Sequence, residues 1–322
     1  MKIGYNEAAE FLKSRDNFYI LTPASPDGDT VGSGFGLCYM LRKMGKHANV
    51  YCSDEFPKRY DFLYEGYMPQ KFTPDTIVAV DVADKKLLGT KLAQYGDFVQ
   101  LCIDHHVSNT EYAERLLVEP SAAAACQVVY RLAAETGMVE LDSKIAKCLY
   151  TGLATDSGCF KFECTTPETH LVAAELMKYD INAAWINRRM FDTKSKARIK
   201  VEQYVMSTME YYLDDKCAIA AVTTEEMERV GLPVEETEGL APLTTMLETV
   251  EVGVLIRQKD NDKYKVSLRS TGNVDVSEIC KKFDGGGHIR AAGCTLEGDL
   301  EQVKLKILSG IAPSLGIDLW LA

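Results

Sequence analysis

The stretch that decides the fold is Phe98-Val-Gln-Leu-Cys-Ile103, which leads directly into Asp104-His105-His106. Other short apolar runs also precede acidic residues, namely Phe18-Tyr-Ile-Leu21 before Asp27 and Asp29, and Thr76-Ile-Val-Ala-Val80 before Asp81. Continuous apolar runs are typical of strands in a parallel sheet that is covered on both faces. Because ligands of such sheets bind beyond the carboxyl ends of the strands, the pattern predicts carboxylates and imidazoles gathered into a metal site.

Strands and helices alternate around this stretch. Strands are predicted near residues 18–22, 48–52, 76–81, 97–103 and 116–118. Helices are predicted near residues 31–44, 85–94, 122–136, 142–154, 167–178 and 182–190. Alternation of this kind predicts an α/β domain over residues 1–192, with a parallel sheet and helices on both faces.

The pattern changes after residue 192. Residues 193–213 are charged and compatible with a helix, and we interpret them as a helical linker. Beyond them, strands are predicted near 217–222, 250–257 and 264–269, and helices near 223–230, 237–248 and 275–283. A chain of 322 residues is long enough for two domains, so we expect a smaller C-terminal α/β domain over residues 214–322.

The formal net charge of −11 limits the class of ligand. Long nucleic acids need a basic track, because contacts with phosphates supply most of the affinity, and this chain has no run of Lys or Arg longer than two. Binding of a long duplex is therefore disfavoured. A small phosphorylated ligand can still bind where metals and a few arginines are concentrated, which points to mononucleotides, dinucleotides or very short oligonucleotides.

Composition also indicates the compartment. No run of eighteen apolar residues occurs, and the polar start Met1-Lys-Ile-Gly-Tyr-Asn-Glu7 does not resemble a signal peptide. The ten cysteines show no C-x-x-C spacing, which disfavours a zinc cluster or a disulfide framework. We expect a cytoplasmic protein with reduced thiols and no membrane partner.

Acidic residues at strand and helix ends are the candidate metal ligands. Asp27 and Asp29 are separated by Gly28 on a turn between a strand and a helix, where both carboxylates can aim at neighbouring points. The alternative is a solvated turn in which Asp29 caps the next helix. Asp81 can bridge two divalent ions, which such sites hold roughly 3.5–4 Å apart. Asp156 is the fourth candidate, with a helix cap as its alternative role.

The two adjacent histidines need not do the same work. One imidazole of the pair His105 and His106 can bind metal while the other meets a phosphate, and Asp104 can orient a ring through its second nitrogen. The glycines of Gly32-Ser-Gly-Phe-Gly36 lack the G-x-G-x-x-G spacing and lie mostly inside a predicted helix. They therefore indicate close packing rather than phosphate binding.

A second motif, Asp284-Gly-Gly-Gly-His288-Ile-Arg290, lies near the C-terminus. Consecutive glycines expose backbone N–H groups and allow positive φ, which suits an anion nest, and His288 and Arg290 add side-chain donors. Upstream, Ser267 and Arg269 alternate along a predicted strand and share a face. A guanidinium there could clamp a terminal phosphate, whereas the alternative is a glycine turn beside a surface arginine.

In this order, these motifs resemble those of the DHH/DHHA1 phosphoesterase family over nearly the whole chain. Among its members, a chain of two domains is most similar to the bacterial bifunctional oligoribonuclease/pAp phosphatase (NrnA-type) enzymes. The resemblance implies two Mn²⁺ ions and, as substrates, short RNA oligonucleotides, pApA or 3′-phosphoadenosine 5′-phosphate (pAp). It also implies an interdomain cleft in which the glycine-rich domain holds a substrate phosphate, and it leaves the oligomeric state open, with a homodimer as one option.

The resemblance assigns roles to residues of this chain. It gives a catalytic role to Asp104 and His106. It assigns the metal to Asp27, Asp29, Asp81, His105 and Asp156. It assigns substrate binding to Arg269, Gly285, Gly286, Gly287, His288 and Arg290. We therefore expect a metal-dependent phosphoesterase that hydrolyses short oligoribonucleotides, pApA or pAp with metal-activated water.

One position departs from the family pattern. The first motif of the family reads His-x-x-Pro-Asp-Gly-Asp, and Pro23 stands at the histidine position of this chain. Proline offers no ligand atom, so we expect one of the two ions to bind more weakly than the other. The alternative function is a non-catalytic or weakly active nucleotide-binding protein whose first metal site is degraded.

Overall fold

The computed structural model describes residues 1–231, 237 and 239–318. The chain divides into two compact units, Met1–Thr193 (unit 1) and Lys194–Ala322 (unit 2). None of the helices in the described ranges is both long and apolar enough to cross a membrane.

Unit 1 consists of five strands and seven α-helices. The strands are β1 (Phe18–Leu21), β2 (Ala48–Tyr51), β3 (Thr76–Val80), β4 (Leu101–Asp104) and β5 (Arg115–Val118). The helices are α1 (Tyr5–Ser14), α2 (Gly28–Lys43), α3 (Gly89–Leu92), α4 (Ala125–Thr136), α5 (Ser143–Asp156), α6 (Pro167–Met177) and α7 (Ala183–Asn187). Short 3₁₀ segments at Lys58–Leu63, Lys85–Leu88 and Ala93–Phe98 and a π-helical turn at Arg188–Asp192 complete it.

The strands of unit 1 form one parallel sheet in the order β2-β1-β3-β4-β5. The chain leaves β1 toward β2 on one side, whereas β3 leads to β4 and β5 on the other. The neighbours β1 and β3 therefore flank the point where the strand order reverses, which is where open α/β sheets form their ligand crevice. Asp27 and Asp29 follow β1, and Asp81 follows β3.

Both faces of this sheet are covered, as the apolar runs predict. On one face, Ile20, Val78 and Ile103 pack against the buried sides of α1, α2, α4 and α5. On the other face, Leu21 and Cys102 contact the short helical segments between β3 and β4. The predicted α/β class and the helices on both faces are confirmed.

Glycine spacing sets the packing of α2. Gly28, Gly32 and Gly36 lie on one side of this helix, and a Cβ atom at Gly32 would stand 2.5 Å from the carbonyl oxygen of Cys148 on α5. From α5, a Cβ at Gly152 would stand 2.2 Å from the Cys126 sulfur and 2.8 Å from an Asp29 oxygen. The packing role predicted for the glycines at 32–36 is therefore confirmed.

The described residues of unit 2 form six strands and four α-helices. The strands are β6 (Glu210–Tyr212), β7 (Cys217–Val222), β8 (Val252–Asp260), β9 (Lys263–Ser270), β10 (Gly286–His288) and β11 (Ala291–Glu297). The helices are α8 (Lys196–Ser207), α9 (Thr224–Val230), α10 (Val276–Lys281) and α11 (Leu300–Ile311). The sheet has the order β10-β11-β9-β8-β7-β6, and within it β7 and β8 are parallel and the other pairs antiparallel.

The unit 2 sheet also has two packed faces. Val254 and Val266 face a core shared with Ile279 of α10 and Ile307 of α11. Leu255 faces the opposite core, with α8. Residues 193–213, interpreted from the sequence as a linker, contain α8 and β6, and Val201 and Val205 of α8 belong to that second core.

Candidate metal centre

The carboxylate of Asp29 is fixed by two helices. Asp29 lies in the first turn of α2 and is buried. Its two oxygens accept hydrogen bonds from the backbone N–H groups of Ala125, at 2.6 Å, and Cys126, at 2.9 Å. These residues begin α4, whose free N–H groups and dipole favour a negative charge. Sequence reasoning missed this contact, because it joins segments nearly a hundred residues apart.

Asp81 follows β3 in the left-handed conformation, with φ 61°. This conformation costs a non-glycine residue about 1–2 kcal/mol, and such strain collects at functional sites. Its carboxylate accepts a hydrogen bond of 2.6 Å from the hydroxyl of Thr30, a residue that sequence reasoning missed. Thr30 sits one residue after Asp29, so the same turn of α2 positions both carboxylates.

The His105 ring turns one nitrogen toward the acids. Its Nδ1 lies 3.2 Å from the carbonyl oxygen of Ala122, which only accepts hydrogen bonds, so Nδ1 is the donor and Nε2 is the nitrogen left to bind a cation. That Nε2 lies 3.4 Å from Oδ2 of Asp156 and 3.8 Å from carboxylate oxygens of both Asp29 and Asp81. An imidazole whose second nitrogen faces three carboxylates has the geometry of a metal ligand.

His106 is held by a different partner. Its Nδ1 lies 2.8 Å from one carboxylate oxygen of Asp104. The other oxygen of Asp104 accepts a hydrogen bond of 2.6 Å from the side-chain amide of Asn109. The hydrogen bond with Asp104 raises the pKa of His106. Burial alone would raise the pKa of Asp104. The hydrogen bonds of Asp104 with His106 and Asn109 outweigh burial, so the pKa of Asp104 is lowered. Asp104 therefore orients the ring, which is the role that the sequence predicts for it. Asn109, five residues later, holds Asp104 and was missed by sequence reasoning.

The ligand atoms gather into two groups of three. Asp81, His105 and His106 form one group, and Asp29, His105 and Asp156 form the other. In each group the atoms lie within 4.8 Å of one another, and His105 belongs to both. The predicted acids and imidazoles thus come from the ends of β3 and β4, the start of α2 and the end of α5.

The charges in this cluster are uncompensated without a cation. Burial, followed by the charge of Asp27, raises the pKa of Asp29 to about 6. Burial, followed by the charge of Asp29, raises the pKa of Asp156 to about 7, and the same two causes raise that of Asp81 well above its ordinary value. Buried carboxylates that repel one another and meet an imidazole nitrogen fit a divalent cation.

Asp27 lies beside the two groups rather than in them. It is exposed, and its side chain caps α2 by accepting a 2.9 Å hydrogen bond from the N–H of Thr30. Its charge nonetheless contributes to the raised pKa values of Asp29, Asp81 and Asp156. Pro23 lies in the preceding loop, where its carbonyl oxygen accepts a hydrogen bond from the thiol of Cys52.

The glycine-rich motif of unit 2 differs from the expected nest. Residues 286–288 form β10 at the edge of the sheet, paired with β11. Glycine is needed here because a Cβ at Gly285 would stand 2.4 Å from the Gly293 carbonyl oxygen, and one at Gly287, whose φ is 144°, would stand 2.5 Å from that of Ala291. The expected loop is therefore a strand pressed closely onto its neighbour.

The side chains expected to bind substrate in unit 2 share one face of this sheet. Arg269 pairs with Ala291, which pairs with His288, so the three point to the same side. Burial lowers the pKa of Arg269, whose Nη1 donates to the Leu268 carbonyl oxygen at 2.9 Å. Arg290 lies in the turn between β10 and β11, and its backbone carbonyl accepts from the N–H of Ser270.

Family models match both halves of the chain. Residues 17–153 match the DHH family N-terminal domain, and residues 216–310 match the DHHA1 domain. The first range includes Asp27, Asp29, Asp81 and the pair His105 and His106, and ends just before Asp156.

Named relatives and a solved structure resemble the whole chain. A Thermus thermophilus protein named "Bifunctional oligoribonuclease and PAP phosphatase NrnA" is 34% identical over 95% of this chain and 93% of its own length. A Bacillus subtilis protein of the same name is 25% identical over 84% of this chain and 86% of its own. The fold matches the crystal structure of an exopolyphosphatase-related protein from Bacteroides fragilis, with TM-score 0.85, 24% identity and 95% of each chain covered. The chain therefore belongs to the DHH family of phosphoesterases and carries a DHHA1 domain.

Proposed function

We propose that this protein is a metal-dependent phosphoesterase that hydrolyses short oligoribonucleotides, including pApA, and pAp. The observation that carries the proposal is the pair of ligand groups that share His105 at the reversal of strand order in unit 1. Family membership supports the reaction class, and the names of the relatives support the substrates.

We assign two Mn²⁺ ions to Asp27, Asp29, Asp81, His105 and Asp156, one of them bound weakly. Mixed carboxylate and imidazole donors suit Mn²⁺ better than an all-oxygen site would, and Mg²⁺ prefers oxygen ligands. When bound, the ions supply positive charge that polarises the phosphoester and favours deprotonation of water near neutral pH.

The residues around the ligands prepare the site. Because Asp104 holds Nδ1 of His106, the ring keeps a fixed direction, and its raised pKa favours the protonated form that donates to a phosphate oxygen. Because α4 holds both oxygens of Asp29, the carboxylate needs no rearrangement to act as a ligand. We assign His106 a direct catalytic role and Asp104 a positioning role.

In unit 2, Arg269 and His288 bind a phosphate of the substrate that does not react. The guanidinium and the imidazole project from the same face of the sheet, and the glycines that precede His288 in β10 leave the backbone open to a ligand. Gly285, Gly286, Gly287 and Arg290 contribute to that surface.

The non-catalytic alternative is not favoured. A binding protein with a degraded metal centre would have no need of clustered buried carboxylates, which repel one another, yet Asp29, Asp81 and Asp156 are retained together with both histidines. The named relatives are enzymes as well.

The assay is hydrolysis by the purified protein with Mn²⁺. We expect release of AMP from pApA and of phosphate from pAp, and loss of both when a chelator removes the metal. No turnover of either substrate with any divalent ion would overturn the proposed function.

A matched pair of variants tests the site. Asp81→Ala should reduce kcat by at least about a hundredfold, since it removes a ligand. Asp84→Ala serves as the control, because Asp84 lies three residues away and only caps a short 3₁₀ segment. Equal activity of the two variants in Mn²⁺-replete buffer would refute the role of Asp81.

A further inference from the structure

An exposed aromatic ring lies close to the candidate metal centre in sequence and in space. Phe162 is 58% exposed and belongs to the loop that joins the end of α5, at Asp156, to α6. The end of its ring rests on Gly158, because a Cβ there would stand 2.4 Å from its Cζ atom. Phe162 therefore lies against the backbone only two residues beyond a candidate metal ligand.

The backbone of this loop is strained just after Asp156. Gly158, Cys159 and Phe160 have φ values of 59°, 59° and 63°, so three consecutive residues are left-handed. Two of them carry side chains that disfavour this conformation, and such strain persists only where the surroundings enforce it. The ring of Phe160 is held by stacking on His170, with centroids 5.2 Å apart and planes at 28°.

Ser157 fixes the rest of the loop. Its hydroxyl accepts a 3.1 Å hydrogen bond from the N–H of Phe160, and its carbonyl oxygen accepts from the N–H groups of Lys161, at 2.9 Å, and Phe162, at 3.1 Å. Ser157 is buried and adjoins Asp156. The turn thus holds the Phe162 backbone at a set position relative to the metal ligand while the side chain stays in solvent.

We propose that Phe162 is the stacking platform for a nucleobase of the substrate, next to the phosphate that reacts. This inference rests on the proposed function. The ligand groups would hold the cations that meet the phosphate, and they supply no apolar surface for the base, whereas an aromatic ring offers a flat face that any base can stack on. The ring end of Phe162 rests on Gly158, and more than half of its surface is open to a ligand.

The first experiment separates stacking from other effects by substrate. Phe162→Ala and Phe162→Leu should raise KM for pApA by roughly ten- to a hundredfold, while Phe162→Tyr stays near the wild type, since stacking needs the ring. The wild type and all three variants should turn over an abasic analogue with the same sugars and phosphates equally well. Met177→Ala is the control, because Met177 is 54% exposed on α6 of the same unit.

A second measurement works without turnover. A dinucleotide that carries 2-aminopurine should lose fluorescence when it binds the wild type in Ca²⁺, and should keep it with Phe162→Ala at saturation. If the wild type hydrolyses none of the short nucleotides but still quenches the probe, the proposed function fails and the stacking site stands.

Three outcomes would overturn the stacking site. They are equal losses on pApA and the abasic analogue, a Leu variant as good as the wild type, and quenching unchanged in the Ala variant. Circular dichroism of each variant excludes misfolding as the cause of a loss, and the Tyr variant retains the ring if the Ala variant does not fold.

Discussion

His105 and His106 are adjacent in sequence, yet their rings are fixed by different groups. A backbone carbonyl holds Nδ1 of His105, which leaves Nε2 as the nitrogen that can bind a cation. A carboxylate holds His106 and raises its pKa, which favours a proton on the ring. One dipeptide therefore supplies a metal ligand and a hydrogen-bond donor, and the neighbours of each ring decide which is which.

Arg269 tests phosphate capture in unit 2. Arg269→Ala should raise KM for pAp, because leaving a phosphate without its buried partner typically costs ~2–5 kcal/mol, with kcat less affected. Arg269→Lys should recover only part of the loss, since an ammonium cannot bind in a bidentate way.

Bis-p-nitrophenyl phosphate is the matched control for Arg269, because it has no second phosphate. Its turnover should barely change in Arg269→Ala. If both substrates lose activity equally, Arg269 acts on the metal centre or on folding.

Pro23 predicts unequal metal affinities. Losing a residue that only hydrogen-bonds to a metal ligand weakens metal affinity roughly 10–100-fold. The lack of a ligand itself should therefore separate the two Mn²⁺ dissociation constants by at least that factor. Calorimetric titration measures both. Pro23→His should tighten the weaker step and raise kcat, whereas two equally tight steps in the wild type would contradict the prediction.

At the scale of elements, α2 carries both chemistry and packing. Its first turn supplies Asp29 and Thr30, and its glycine side lies on α5, whose last residue is Asp156. The distance between two candidate ligands therefore depends on how closely these helices approach each other.

Gly32→Ala tests this dependence. The new Cβ would stand 2.5 Å from a backbone oxygen, so we expect destabilisation. Overpacking of this kind costs about 1–3 kcal/mol, and Mn²⁺ affinity should fall as well. Gly36→Ala on the same helix is the control, because its closest contact is the end of the flexible Leu149 side chain. Thermal unfolding with and without Mn²⁺ measures both effects, and equal stability of the variants would contradict the prediction.

The sequence predicted the sheet of unit 1 well because its strands are uninterrupted apolar runs that end in acids. β1, β3 and β4 lie where those runs are, and each is followed by the expected ligands. The helix predicted over 85–94 is instead a series of short turns around α3, and within the helix predicted over 237–248, Ala241–Thr245 is a 3₁₀ segment while residue 238 lies outside the described residues.

Features that depend on contacts with distant parts of the chain were harder to predict. β10 has almost no side chains, so its extended form comes from pairing with β11 rather than from its own residues. The contacts of Asp29 with α4, of Asp81 with Thr30 and of His105 with Ala122 each join distant segments. Spacing along the chain identified the candidate ligands but not the hydrogen-bond partners that fix their side chains.

At the scale of the whole molecule, negative charge is concentrated where a cation would bind. The net charge is −11, and unit 1 gathers the buried carboxylates of Asp29 and Asp81 and the half-buried one of Asp156 at one point. Their mutual repulsion opposes folding until a cation or protons neutralise it. Metal loading should therefore affect stability as well as activity.

The stability of the metal-free protein should rise as the pH falls from about 8 to about 6. The folded pKa values of Asp29, about 6, and Asp156, about 7, lie above their unfolded value, so the folded state binds more protons in this range. The raised pKa of His106 acts in the same direction. Thermal unfolding in chelator measures the trend.

Added Mn²⁺ should reverse this trend, because the cation binds the charged carboxylates. Asp156→Asn should flatten the slope measured in chelator. A metal-free protein that loses stability over the same range would contradict the prediction.

His105 belongs to both ligand groups, and this sharing restricts how they fill. An imidazole Nε2 has a single lone pair and can coordinate only one ion at a time. An ion that took this nitrogen would leave the other group with its carboxylates, either Asp81 or the pair Asp29 and Asp156, because His106 is held by Asp104. Two ions would therefore compete for one nitrogen, and we expect them to bind one after the other, with the second ion taking its remaining ligands from carboxylates and from the substrate.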